Sequence, residues 1–158
     1  MKYEISNGTL AIVPEENEKS LIYEDEEKYV VDEVPFKIME DSCKYFGSSY
    51  NGRKESARDI LGAEYKVPII VEDSDNLIVF PTTSPAAADC VWISLKRLKK
   101  FEKVDGFNTR IIFDNNKEII ENFTNAINKG LISSHSESIS LLNLSITSLI
   151  TTSKDIFL

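Results

Sequence analysis

CKYFGSSYNGRKESARDILG, residues 43–62, sets Gly47 and Gly52 five positions apart and places Arg53 and Lys54 directly after the second glycine. The reading of this stretch decides the fold. A phosphate-binding P-loop would extend from a buried strand and make the chain a parallel α/β protein. That motif requires Lys and then Ser or Thr after the second glycine, so that an ammonium reaches the outer phosphates and a hydroxyl holds magnesium. Arg53, Lys54 and Glu55 stand there instead. Upstream, Phe36, Met39, Cys43 and Phe46 are spaced by three, four and three, the rhythm of an amphipathic helix stopped by Gly47 rather than of a strand. The stretch therefore reads as a helix, a polar loop, and one or two helical turns over ESARDIL closed by Gly62. As a bare surface turn it explains the glycines. As a polyanion grip it also explains why Ser48, Ser49, Tyr50, Asn51, Arg53 and Lys54 are packed together, because hydroxyls, amides and cations are what contact phosphates and sugars.

Outward from this segment the chain reads as hairpins. Asn7-Gly8 sits between two short β-prone runs in YEISNGTLAIV, a strong short-range hairpin signal. KSLIYEDEEKYVVDEV offers two more strands around an acidic turn. VPIIVEDSDNLIVFP turns over Asp73–Asn76 and ends at Pro81. In CVWISLKRLKKFEKV a strand begins, and strand and helix compete from Ile93 onward. TRIIFDNNKEII turns over Asn115-Asn116. IENFTNAINKG then reads as a helix stopped by Gly130. ESISLLNLSITSLI spaces Ile139, Leu142, Ile146 and Leu149 as one apolar stripe, a C-terminal helix that has to pack on the core or on a second subunit. The expected fold is α+β: a strand-rich single domain of hairpins with a few short helices and a C-terminal helix. Its main body is residues 1–130, and the Ser/Thr-rich segment is 131–158.

At 158 residues, 42% hydrophobic and 28% charged, the chain has ordinary globular composition and enough length for one core. It starts without a basic, apolar leader and holds no membrane-length apolar run, so a cytoplasmic location and no membrane partner are expected. Cys43 and Cys90 are too few for a disulfide framework, and with His135 alone they make no four-ligand zinc site. Both read as small buried thiols. A Cys/His nucleophile pair lacks an oriented third group, and His135 lies in the polar run SSHSES. No enzyme activity and no cofactor are expected.

The net charge of −8 conceals an asymmetry. Residues 1–42 carry 4 basic and 12 acidic side chains, whereas residues 43–110 carry 11 basic and 9 acidic. The cations cluster twice, as Lys44, Arg53, Lys54 and Arg58, then as Lys96, Arg97, Lys99, Lys100 and Lys103. These two runs are the anion-facing candidates.

Several strings together resemble the ComK family of competence transcription factors: DSCKYFGSSYNGRK (41–54), KVPIIVEDSDNLIVFPTTSP (66–85), CVWIS (90–94), IIFDNNKEI (111–119) and, near the start, NGTLAIVPEE (7–16). The resemblance covers about residues 3–120. It implies an activator of DNA-uptake genes that binds A/T-rich double-stranded DNA through the minor groove as paired dimers, and that is restrained by a Clp protease adaptor. A/T-tract minor grooves are narrow and strongly negative, so inserted Arg side chains read their shape. The implied contacts are Arg53 and Lys54, with Ser48, Ser49, Tyr50 and Asn51 as hydrogen-bonding support and Arg58 beside them. Lys96, Arg97, Lys99 and Lys100 form a second backbone patch. The chain departs from the family pattern at Glu55-Ser56, where Gly-Thr is usual, in LKRLKK after the WIS string, and in its Ser-rich end. Those departures support an alternative: a ComK-like interaction protein with little DNA affinity that acts on a ComK relative or another partner through its acidic N-terminal surface.

Overall fold

The computed structural model describes residues 2–62, 67–105 and 108–121, apart from the side chains of Leu61 and Glu121. Among them the chain forms nine strands and two helices. The α+β expectation holds. The chain divides into two compact units, Met1–Lys96 and Arg97–Leu158. The helix expected over 120–130 begins in strand instead, Ile120 and Glu121 belonging to β9, and the rest of it, the expected helix at 139–149, the boundary at residue 130 and His135 lie outside the described residues.

In the first unit, β1 (Thr9–Glu15), β2 (Lys19–Glu24), β3 (Lys28–Val31), β4 (Ile69–Glu72), β5 (Leu77–Pro81) and β6 (Trp92–Ser94) build one antiparallel sheet in the order β3-β2-β1-β6-β5-β4. The β1–β2 hairpin turns over Asn17 and Glu18, both at positive φ. Asn7-Gly8 is a turn, but not of a hairpin. The run before it takes no place in the sheet, and Ile5 instead donates its backbone N–H to Ser42 Oγ at 3.1 Å. That tie holds the N-terminal run to the first helix, α1 (Pro35–Tyr45).

α1 begins with Pro at its first position, where the missing N–H costs nothing. It turns Ile38, Met39 and Cys43 onto the sheet face carrying Ile12, Ile22, Ile69, Val79 and Trp92, and all eight side chains are at most 1% exposed. The helix ends at Tyr45, and Gly47 at φ +82 takes the left-handed conformation that redirects the chain. Apolar burial at about 25 cal/mol per Å2 makes this layer the main source of cohesion in the unit.

Between Ile93 and Phe101 the contest between strand and helix is settled for strand. β6 ends at Ser94, residues 95–97 turn, and β7 (Leu98–Lys103) starts a second sheet, β7-β8-β9, with β8 (Thr109–Phe113) and β9 (Glu118–Glu121). Leu95, Leu98 and Phe101 suit a helix by spacing, but Phe101 is placed opposite Ile111, and Ile111 opposite Ile119, on one buried strand face. Cross-strand packing overrides the local rhythm.

Candidate nucleic-acid interface

The run expected as a polar loop is mostly helix. Ser49 is extended and caps α2 (Tyr50–Leu61), its Oγ accepting from the Gly52 N–H at 3.0 Å. The residues after Gly52 are good helix formers, so a cap worth about 1 kcal/mol suffices to start the helix at Tyr50. Gly52 misleads the eye as a loop signal. A Cβ there would stand 3.0 Å from Ser49 Oγ, so the glycine leaves room for the cap. The first turn of α2 carries no acidic residue, which leaves the positive end of its dipole uncompensated by side chains.

The helix sorts the candidate residues by face. Tyr50 turns inward, 6% exposed, edge-on to Phe36 at 4.9 Å and to Trp92 at 6.3 Å. Burial pushes its hydroxyl up to about 12. Arg53, one turn on, is 19% exposed at its side chain and reaches Asp73 Oδ1 and Oδ2 at 3.3 and 3.4 Å. It braces α2 against the β4–β5 turn. Its positive charge also lies near Cys43, where it opposes the dominant effect of burial, which pushes that thiol up to about 11. Asn51 and Arg58 are exposed, Lys54 and Ser48 half-buried, and Ser49 exposed. Lys54 and Arg58, four apart, share one flank of the helix. Neither forms an ion pair among the described residues.

The β4–β5 turn gathers a second cation of the same unit. Lys96 is exposed and donates from Nζ to the Asp75 carbonyl at 3.2 Å. The turn itself is held by Glu72, whose carboxylate accepts from the Ser74 hydroxyl and from the backbone N–H groups of Ser74 and Asp75 at 2.8 and 2.9 Å. These bonds hold that carboxyl below its ordinary range. Sequence reading marked 73–76 as a turn only. Nothing in the local pattern distinguishes Asp73 as the partner of a residue twenty positions earlier.

In the second unit Arg97, Lys99, Lys100 and Arg110 are tied internally, whereas Lys103 is exposed and forms no ion pair among the described residues. Arg97 grips Asp114 with Nη2 at 2.8 Å and Nε at 2.9 Å, and is 14% exposed at its side chain. Lys99 donates to Asn116 Oδ1 at 3.2 Å, and Lys100 pairs with Glu102 at 2.8 Å. Arg110 bridges Glu102 and Glu118 at 3.2 and 3.1 Å. Ser48 to Arg58 and Lys96 thus belong to one unit, and Arg97, Lys99 and Lys100 to the other.

Two further side chains border the α1–α2 junction: Lys44, which the sequence placed in the first basic run but not among the implied DNA contacts, and Tyr45, which it did not single out. Lys44 is exposed in the last turn of α1, and Tyr45 is 62% exposed, edge-on to Phe46 at 5.0 Å. Their signal was present in the helical spacing, which places both off the apolar stripe. Cys43 and Cys90 are both buried and unpaired, as expected. Among the described residues no group of three potential metal ligands is gathered, and no helix is long and apolar enough to cross a membrane.

Comparison with known proteins adds the family. The model of the family described as ComK protein matches residues 1–128. A protein called competence transcription factor, from Bacillus subtilis (strain 168), is 35% identical over 118 residues, covering 73% of this chain and 62% of that relative. The chain thus spans less than two thirds of the relative's length. No solved structure matches it. With four fifths of its length matched, from the N-terminal run through the helix pair and both sheets, the chain belongs to the ComK protein family.

Proposed function

We propose that this chain is a ComK-type transcription factor that activates DNA-uptake genes by binding A/T-rich duplex DNA through the minor groove. One observation carries the reading: Lys54, the last residue of the string that marks the family, and Arg58 one turn beyond it stand on an accessible flank of α2 without an ion pair among the described residues, beside Asn51 and the Ser49 cap. Two unengaged cations one turn apart on one flank of the helix are a fitting grip for a phosphate backbone. Arg53 serves this grip chiefly as the brace that fixes the helix on the turn, and it reaches the groove only by exchanging Asp73 for DNA. Ser48, Ser49 and Asn51 supply hydrogen bonds. Lys96, Arg97, Lys99 and Lys100 add backbone contacts of lower value, since each already has a protein partner.

The family-like body is residues 1–130. The 131–158 segment supplies the packing stripe of a homodimer, the form that paired sites on DNA require. The protein works in the cytoplasm, without a cofactor and without enzymatic activity, under the control of a Clp protease adaptor.

The test is a gel-shift titration at two salt concentrations on an A/T-rich duplex and on the same duplex with A·T replaced by inosine·cytosine pairs. The minor-groove acceptors are kept by that replacement while the major-groove pattern changes. Equal affinity for both duplexes, with log affinity falling by about 0.9 per phosphate contact against log salt, is the expected result. Loss of binding to the inosine duplex places recognition in the major groove, and absence of binding to either favours the second reading. That reading is a regulatory ComK-like protein acting through its N-terminal acids, and its motive is the 12 acidic against 4 basic side chains of residues 1–42.

A further inference from the structure

β3 occupies one end of the six-stranded sheet and is bonded to β2 alone, with Ser20 opposite Val31 and Tyr23 opposite Lys28. Every second residue of an edge strand turns its N–H and C=O away from the sheet, a template for another strand. Edges are ordinarily blunted by a charge, proline or bulge within the strand. β3 has one such charge, Lys28 at its first position, and runs on as Tyr29-Val30-Val31, with Tyr29 36% and Val30 57% exposed, and Val34 just beyond is 39% exposed. Three of the six exposed large apolar side chains among the described residues thus fall within six positions of chain. Tyr29 is held in place, its hydroxyl donating to Glu24 at 3.0 Å and its ring edge-on to Tyr3 at 5.8 Å. A strand arriving here meets an ordered aromatic surface, so little further ordering is needed.

Four acids flank the strand, against the single cation Lys28 at its first position. Glu26 and Glu27 precede it, and Asp32 and Glu33 follow it. Two copies of β3 paired antiparallel would bring the first two acids of each against the last two of the other, and like charges across a ladder are destabilising. The same arrangement attracts a strand with cations at both ends. We propose that β3 is a docking edge for an extended segment of a partner protein, with β-branched residues at its centre and Lys or Arg at both ends. Main-chain hydrogen bonds give the complex its geometry, and the acid pairs select the partner and exclude self-association. The site lies apart from α2 and does not depend on DNA binding.

The test uses the full chain and a fluorescein-labelled peptide with a Val-Thr-Val-Tyr centre and Lys-Arg pairs at both ends, read by anisotropy and by amide exchange at Tyr29 to Val31. The basic peptide is expected to bind and to slow exchange in β3. Methylating alternate backbone nitrogens of its centre removes two or three main-chain bonds and should weaken it roughly tenfold or more. The variant Glu26→Lys/Glu27→Lys/Asp32→Lys should lose roughly tenfold and gain affinity for a peptide with Glu at the ends, as expected for several exposed pairs reversed together. Val30→Asp gives a second variant at the same edge, and an unchanged far-ultraviolet circular dichroism spectrum shows that each variant is folded. Equal binding of the methylated peptide reduces the effect to bulk charge and overturns the proposal. So does protection, in the chain alone, of the β3 amides that face away from β2. Protection that rises with protein concentration makes a second copy the occupant, and protection independent of concentration makes it the chain itself.

Discussion

The two basic clusters of this chain have similar compositions and different electrostatic states. On α2, Arg53 is spent on Asp73, while Lys54 and Arg58 face outward with Glu55 and Asp59 each one position further round the helix. In the second unit, Arg97, Lys99 and Lys100 are each bound to a neighbour, and Arg110 closes a lattice with Glu102 and Glu118. Secondary structure makes the difference. A strand repeats every two residues, so Lys100 and Glu102 share a face, and Glu102 is opposite Arg110 across the ladder. On a helix, residues four apart share a flank, which sets Lys54 beside Arg58 and keeps like charges together. A run of cations in a sequence is therefore a reserve whose availability depends on the period of the backbone carrying it.

The largest effect expected from this contrast is on DNA. Lys54→Ala/Arg58→Ala should weaken binding to an A/T-rich duplex about a hundredfold, two charge-assisted contacts at about 1.5 kcal/mol each, and make the salt slope shallower by about 1.8. Lys99→Ala/Lys100→Ala should cost no more than about threefold, because each of these cations already has a protein partner that DNA would have to displace. Equal losses, measured by the same titration, would break the distinction between the two clusters.

A second effect separates the units by pH. Cys43, Cys90 and Tyr50 are buried in the first unit, and burial raises all three, Cys43 to about 11 and Tyr50 to about 12. An unfolded thiol loses its proton near its ordinary value of about 8.5. Between there and about 11 the unfolded chain binds fewer protons than the folded one, so stability falls as pH rises, by up to about 1.4 kcal/mol for every tenfold by which folding strengthens the thiol's hold on its proton. Stability is full below that window. Hydrogen exchange followed from pH 8 to pH 11 should show protection failing in the first unit before the second, which holds no cysteine.

Arg53→Ala and Asp73→Asn should each lower stability by about 1–2 kcal/mol, since a half-buried pair exceeds an exposed one but includes a partly exposed carboxylate. Their double mutant should cost less than the sum. A melt beside the DNA titration tells brace from groove contact. If Arg53→Ala reduces affinity with the melting temperature unchanged, Arg53 contacts DNA directly.

Much of this was legible in the sequence, and the exceptions have physical causes. Strand pairs around Asp73–Asn76 and Asn115-Asn116 were readable because turn chemistry is local, and Asn76 and Asn116 do adopt positive φ. α1 was readable because its apolar spacing and Gly47 stop agree. The extent of α2 was not, because Gly52 imitates a loop and its reason for being glycine is a contact with Ser49 Oγ. Asn7-Gly8 misled for the converse reason: the turn formed, but the run before it bonded to α1 through Ser42 instead of pairing with β1. The types of the candidate residues were visible, whereas the burial of Tyr50 and the engagement of Arg53 by Asp73 depend on contacts distant in sequence.

Ser49→Ala tests whether the cap alone makes the helix that presents Lys54 and Arg58. Removing the Oγ acceptor leaves the Gly52 N–H without its side-chain partner, at a cost of about 1 kcal/mol. Stability should fall by that amount in a chemical melt, and DNA affinity by a smaller factor, because the helix persists and only its first turn frays.

The smallest effect expected is that of Lys100→Gln. Lys100 and Glu102 are 46% and 37% exposed at their side chains, and such pairs contribute at most a few tenths of a kcal/mol. Glu102 also keeps Arg110 at 3.2 Å, so its charge is not left unopposed. Stability should change by less than about 0.5 kcal/mol and DNA affinity by less than about twofold. This near-silence is informative because Lys54→Gln removes the same charge from the same residue type. If Lys100→Gln weakens DNA binding as much as Lys54→Gln, the Lys100–Glu102 pair opens on the duplex and the strand lattice is a latent DNA surface. If the change is as small as expected, a cation already held in an ion pair contributes little to binding where Lys54, free of one, contributes much.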